Sequence, residues 1–170
     1  IGSDSGEELW SVETDDGVRS SPAITTSTAY FSTVGGDLTA LSLEDGEERW
    51  MYDVGSTSRS SPTTADGTVY VGGDSTLHAV GAYSGDERWA FDTGLNVVTS
   101  PAVVDGTVYF GSNDGYVYAV DQETGEEVWN YDSGDSVSSS PAVVDGTVYF
   151  GSNDFNVHAL DAGSGEEVWE

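Results

Sequence analysis

The sequence predicts an all-β protein: a β-propeller of four blades, each a four-stranded antiparallel sheet of about 40 residues. Three observations predict it. The five tryptophans, Trp10, Trp50, Trp89, Trp129 and Trp169, recur at intervals of 40, 39, 40 and 40 residues, and the chain has no others. The four prolines, Pro22, Pro62, Pro101 and Pro141, keep the same period. Residues 100–114 and 140–154 are the same fifteen-residue string, SPAVVDGTVYFGSND. A chain with all its Trp and Pro in one register is an array of one repeated unit.

The third unit gives the elements in order. Residues 101–104 form a short inner strand that opens on proline, which lacks an N–H and suits a strand's first residue. Asp105-Gly106 is the two-residue signal for a type I′ hairpin. Thr107–Gly111 returns as a second strand rich in β-branched and aromatic residues. Asn113-Asp114-Gly115 turns the chain again. Tyr116–Asp121 is the third strand, Thr124-Gly125 the next turn, and 126–131 the outer strand. Applied along the chain, the pattern places blades at 20–53, 60–92, 100–132 and 140–170. Residues 7–14 read as an outer strand that completes another blade. Successive apolar residues in strands such as 147–150 point to burial on both faces. The first unit has Thr26-Ser27 in place of Asp-Gly, which predicts a looser inner hairpin.

Composition narrows the function. There are 31 acidic residues against four basic ones, all arginine, and the net charge is −27. Phosphate neutralisation needs lysines and arginines, so nucleic-acid and anionic-membrane partners are excluded. Acids spread through every repeat predict a surface adapted to very high salt, where self-repulsion is screened within ~3 Å at 1 M. With no cysteine there is no disulfide, thiolate catalysis or Cys-ligated metal. No apolar run approaches the ~18 residues of a membrane-spanning helix. The opening IGSDSGEE has no signal-peptide pattern, so the chain is cytoplasmic or a leader has been removed.

Few residues offer chemistry. Arg19 and Arg59 both stand in Arg-Ser-Ser-Pro, on the loop entering an inner strand near the central channel. A guanidinium pair there offers bidentate contacts to a carboxylate or phosphate ligand; the alternative is pairing with Asp15, Asp16 or Asp53. His78 and His158 share one third-strand position with Tyr118, which predicts blade packing over metal ligation. Arg49 and Arg88 are read as strand-surface residues pairing with adjacent glutamates. The turns at Asp74, Asn113-Asp114 and Asn153-Asp154 lack the graded spacing of a calcium loop. No residue is assigned a catalytic role and none a metal.

The run Ala119-x-Asp121-x-x-Thr124-Gly125-x-x-x-Trp129 resembles the tryptophan-docking motif of the pyrroloquinoline-quinone-like (PQQ-like) repeat family. The fourth unit matches with Ala159, Asp161, Ser164, Gly165 and Trp169. The first keeps Ala40, Gly46 and Trp50 but has Ser42 and Asp45; the second keeps Ala79, Gly85 and Trp89 but has Gly81 and Ser84. The resemblance covers essentially the whole chain and implies that the indoles dock on the neighbouring blade as structural fasteners. It also implies a choice of functions. Quinoprotein dehydrogenases of the family hold PQQ with calcium at the centre of an eight-bladed ring. The lipoprotein subunit of the outer-membrane barrel assembly machine uses a similar ring as a binding platform. The expected function is a non-catalytic interaction or ligand-binding scaffold. Its alternatives are a PQQ-dependent dehydrogenase or a fragment of one, and a sensor domain of a larger extracellular protein. An exported or cell-surface location follows from the resemblance alone. Four blades of an eight-bladed geometry leave two raw faces, so the expected partner is a second copy closing a 4 + 4 ring, or the rest of a longer chain; tight closure by four blades alone is the remaining alternative.

Overall fold

The computed structural model describes residues 6–55 and 59–169, and all regular structure among them is β-sheet. Sixteen strands form four separate four-stranded antiparallel sheets, each in sequence order. The first blade is β1 (Ala23–Ile24), β2 (Thr28–Ser32), β3 (Asp37–Ser42) and β4 (Glu48–Asp53). The second is β5 (Thr63–Ala65), β6 (Thr68–Gly72), β7 (Thr76–Gly81) and β8 (Glu87–Asp92). The third is β9 (Ala102–Val104), β10 (Thr107–Gly111), β11 (Tyr116–Asp121) and β12 (Glu127–Asp132). The fourth is β13 (Ala142–Val144), β14 (Thr147–Gly151), β15 (Val157–Asp161) and β16 (Glu167–Trp169).

The inner hairpins take the conformation their sequence dictates. Asp66, Asp105 and Asp145 have φ near +50°, and each is followed by a glycine with φ above +70°. Two successive positive φ values define the type I′ turn, whose twist matches that of the strands it joins. In the first blade Thr26-Ser27 takes no positive φ, and β1 is two residues long where the other inner strands have three.

Every blade also carries an irregularity. Between the third and outer strands the register shifts after Ala40, Ala79, Ala119 and Ala159. Leu41 faces Glu48 while Ala40 faces Trp50, so Arg49 is bulged out of the pairing. A bulge re-aims its extra side chain. Accordingly, Arg49 reaches the Thr28 hydroxyl at 2.7 Å and Arg88 reaches the Thr68 hydroxyl and the Gly67 carbonyl. The expected pairing with adjacent glutamates is not found among the described residues; these bonds along the blade take its place.

The core lies between blades. Tyr30, Leu38, Ala40 and Val54 of the first blade pack on Val69, Val71, Val80 and Ala82 of the second. The same positions recur at the next two junctions, centred on Tyr70, Trp89, Val108 and Phe110, and on Tyr109, Trp129, Val148 and Leu160. Inner strands touch in the order β1–β5, β5–β9 and β9–β13. The array is open: among the described residues no hydrogen bond joins the fourth blade to the first. Residues 7–14, expected as an outer strand of another blade, pair with none of the four sheets.

Candidate functional site: blade junctions and the inner rim

Each junction is fastened by one tyrosine–tryptophan pair. Tyr30 and Trp50, Tyr70 and Trp89, and Tyr109 and Trp129 lie 5.6–5.8 Å apart between ring centroids. The hydroxyl and the indole N–H of each pair converge on a single carbonyl of the next blade. Ala82 O accepts from Tyr30 at 2.9 Å and Trp50 at 3.1 Å. Gln122 O accepts from Tyr70 and Trp89, and Ala162 O from Tyr109 and Trp129. A carbonyl oxygen has two lone pairs, and here both are used.

The docking glycines explain themselves. Gly46, Gly85, Gly125 and Gly165 have φ between +70° and +76°, at the turn after the third strand. A Cβ on Gly125 would stand 2.7 Å from Trp89 Cδ2, and one on Gly85 2.9 Å from Trp50. These positions need glycine for both conformation and space. The alanines of the motif are fully buried beside the indoles, each directly across from its own tryptophan. The aspartate ties the turn: Asp121 accepts from the backbone and hydroxyl of Thr124 and the backbone of Glu123, which holds its carboxyl below the usual carboxylate range, the Thr124 amide contributing most. Asp161 does the same with Ser164, whose hydroxyl is the largest cause of its lowered pKa.

Tryptophans at the two ends behave differently. Trp10 docks as the interior indoles do, donating to Leu43 O at 3.2 Å and lying over Gly46. Among the described residues no tyrosine ring accompanies it. Trp169 lies beside Tyr149 with the rings tilted, 5.9 Å between centroids, but it is 49% exposed and neither side chain has an acceptor among the described residues.

A second bonding pattern runs round the inner rim, and sequence reasoning missed it. Three of the four serines that precede a proline accept from their counterpart one blade earlier: Ser21 N–H donates to Ser61 Oγ at 2.9 Å, Ser61 N–H to Ser100 Oγ at 3.0 Å, and Ser100 N–H to Ser140 Oγ at 2.9 Å. The residue before that serine staples the loop to its own second strand. Thr99 Oγ1 accepts from Gly111 N–H and donates to Gly111 O, both at 2.9 Å, and Ser139 repeats this with Gly151. The signal was visible as a hydroxyl recurring before every proline, but Ser and Thr are common enough in loops to hide it.

Arg19 and Arg59 precede two rungs of this serine ladder, on neighbouring blades. Both are exposed, and among the described residues neither forms an ion pair with Asp15, Asp16, Asp53 or any other carboxylate. His158 packs as predicted from its tyrosine counterpart. Its Nε2 lies 3.1 Å from Asp154 Oδ2, as the Tyr118 hydroxyl lies 2.9 Å from Asp114 Oδ2, and its ring stacks on Phe150. His78 meets Tyr52 in an edge contact across the junction. Burial, and then Asp114, push the Tyr118 hydroxyl pKa upward, so it stays a donor. Among the described residues no three His, Asp or Glu side chains converge as a metal site.

The sequence profile of the family described as outer membrane protein assembly factor BamB matches residues 1–76 and 64–170. Among solved structures, BamB from Moraxella catarrhalis superposes with a TM-score of 0.82 at 23% identity, covering 93% of this chain and 53% of that one. The quinohemoprotein alcohol dehydrogenase ADHIIG from Pseudomonas putida HK5 superposes at 0.78 with 22% identity, covering 93% and 34%. The computationally designed protein Ika4 superposes at 0.83 with 20% identity, covering 93% of this chain and 99% of that one. No curated protein matches significantly. The chain thus spans about half the length of the Moraxella protein and nearly the whole of the designed one. At these identities the likeness concerns the fold.

Proposed function

The chain belongs to the BamB-type family of PQQ-like β-propellers, and on that premise we propose that it is a non-catalytic platform for protein or ligand contacts, working as half of an eight-bladed ring completed by a second copy. The observation that carries this reading is where the polar side chains are spent. The hydroxyls of Tyr30, Tyr70 and Tyr109, the indole N–H groups of Trp10, Trp50, Trp89 and Trp129, the hydroxyls of Ser61, Ser100 and Ser140, and two of the four arginines are engaged in bonds within or between blades. Arg19 and Arg59 remain exposed at the rim with no ion pair among the described residues. On a surface of net charge −27, two exposed guanidinium groups on neighbouring blades are the natural contact for a carboxylate-bearing segment of a partner. The family's description as an outer-membrane assembly factor supports an exported setting and a role in holding other proteins.

Equilibrium dialysis separates this reading from a quinoprotein dehydrogenase. The purified chain, in molar salt with excess calcium, is dialysed against PQQ. The platform reading expects no retained quinone absorbance; stoichiometric retention would replace it with the dehydrogenase reading. In a parallel arm, a fluorescent glutamate-rich peptide reports on the rim. Arg19→Gln/Arg59→Gln is expected to weaken its binding at least tenfold, and unchanged anisotropy would remove the two arginines from the contact.

A further inference from the structure

The two ends of the array carry the two halves of one more junction. At the first blade, Ala29, Phe31, Leu41 and Leu43 stand where Val69, Val71, Val80 and Ala82 receive the preceding blade. They line an apolar groove of about 350 Å³ that also includes Val18 and Ile24, both about half exposed. At the fourth blade, Tyr149, Val157, Ala159 and Trp169 stand where Tyr109, Val117, Ala119 and Trp129 are buried at an interior junction. Val157 is 57% exposed and Trp169 49%. The polar partners divide in the same way. Leu43 O has an indole but no phenol, and Tyr149 has no acceptor among the described residues. Ser140 is the last rung of the serine ladder and Ser21 the first. Each end therefore matches the other by the same residue-for-residue logic that builds the three interior cores.

One detail decides how the ends meet. The seat on the first blade holds one indole, and Trp10 already occupies it, with its neighbour Val12 lining the groove. Residues 8–13 (Glu-Leu-Trp-Ser-Val-Glu) thus lie where the outer strand of a preceding blade lies, yet they pair with no third strand. In the fourth blade Trp169 of β16 stands across from Ala159 of β15, so it is the indole that would compete with Trp10 for that one seat. We propose that two copies close the ring by strand exchange: residues 8–13 of each pair with β15 of the other and displace its β16. The interior register sets the pairs as Trp10 with Ala159, Ser11 with His158 and Val12 with Val157. Trp10 keeps its seat, Tyr149 of the incoming copy takes the free lone pair of Leu43 O, and the exposed halves become a fourth buried core.

This inference rests on the two-copy ring, and two cysteine pairs test the two ideas separately in a chain that has no native cysteine. Directly opposed antiparallel residues stand ~4.5–5.5 Å apart at Cα, within disulfide reach. Val12→Cys/Val157→Cys therefore reports strand exchange. Ser21→Cys/Ser140→Cys reports ring closure whichever outer strand is used, because the interior rungs place such serines in hydrogen-bond contact. All four positions are exposed, and circular dichroism of the reduced variants confirms that they fold. In 2 M NaCl under mild oxidation, both variants are expected to run as covalent dimers on non-reducing gels. A dimer from the serine pair alone would overturn strand exchange and leave the ring standing. Dimers from neither variant would overturn both.

Discussion

Tyr70 and Trp89 donate to one carbonyl oxygen, that of Gln122 on the neighbouring blade, at 3.3 and 3.0 Å. Because the acceptor is shared, losing one donor leaves it satisfied by the other. Trp89→Phe is therefore expected to cost about 1 kcal/mol, the net value of one hydrogen bond. Trp89→Ala opens a cavity between blades and is expected to cost about 3–5 kcal/mol. Urea titration followed by circular dichroism reads both; equal losses would mean that the N–H, and not the ring, carries the junction.

Gly125 and Gly106 separate conformation from space. Both have strongly positive φ, +73° and +80°, but a Cβ on Gly125 meets Trp89 while one on Gly106 meets nothing within 4 Å. Gly106→Ala is expected to lose about 1–2 kcal/mol, the cost of a left-handed non-glycine residue. Gly125→Ala is expected to lose clearly more, since the indole must leave its seat. Similar melting temperatures for the two variants would contradict the docking role.

Thr99 is almost fully buried and its hydroxyl both donates to and accepts from Gly111. Thr99→Val keeps the shape and strands two buried backbone groups, for an expected loss of about 1–3 kcal/mol. Thr99→Ser restores the hydroxyl and most of the stability. A valine variant as stable as the parent would show that the rim staple carries no stability.

Acid should loosen the turns first. Asp121, Asp154 and Asp161 have folded pKa values below the usual 3.8, the largest causes being hydrogen bonds from Thr124, Asn156 and Ser164 respectively. A lowered folded pKa favours the folded state above the unfolded pKa, and this contribution disappears as pH falls through the folded value. Stability is therefore expected to hold above pH 4 and to decline progressively below it. Asp121→Asn should flatten part of that decline; an unchanged acid profile would remove Asp121 as a contributor.

The proline period and the Asp-Gly hairpins made the blades legible because both follow from local requirements: a proline immediately before each inner strand and a glycine at positive φ in each Asp-Gly hairpin. The docking role of Gly46, Gly85, Gly125 and Gly165 was likewise readable through the family resemblance. The outer-strand bulge was not, since Arg49 and Val128 look like ordinary strand residues and only the pairing register excludes them. The serine ladder was hidden for a similar reason: Ser61 and Ser100 matter through partners one blade away, which no local pattern specifies.

Salt ties the surface to the assembly. Joining two chains of net charge −27 opposes association until screening shortens the Debye length to ~3 Å near 1 M salt. The melting temperature is expected to rise steeply from low to molar NaCl or KCl. A flat profile would contradict adaptation of the acidic surface to high salt.

The most direct test of the central claim, that the four blades are half of a ring closed by a second copy, is the mass in solution by light scattering after gel filtration in 2 M NaCl. The account predicts a monodisperse species of twice the 17.8 kDa of one chain. A monodisperse species of 17.8 kDa would contradict it.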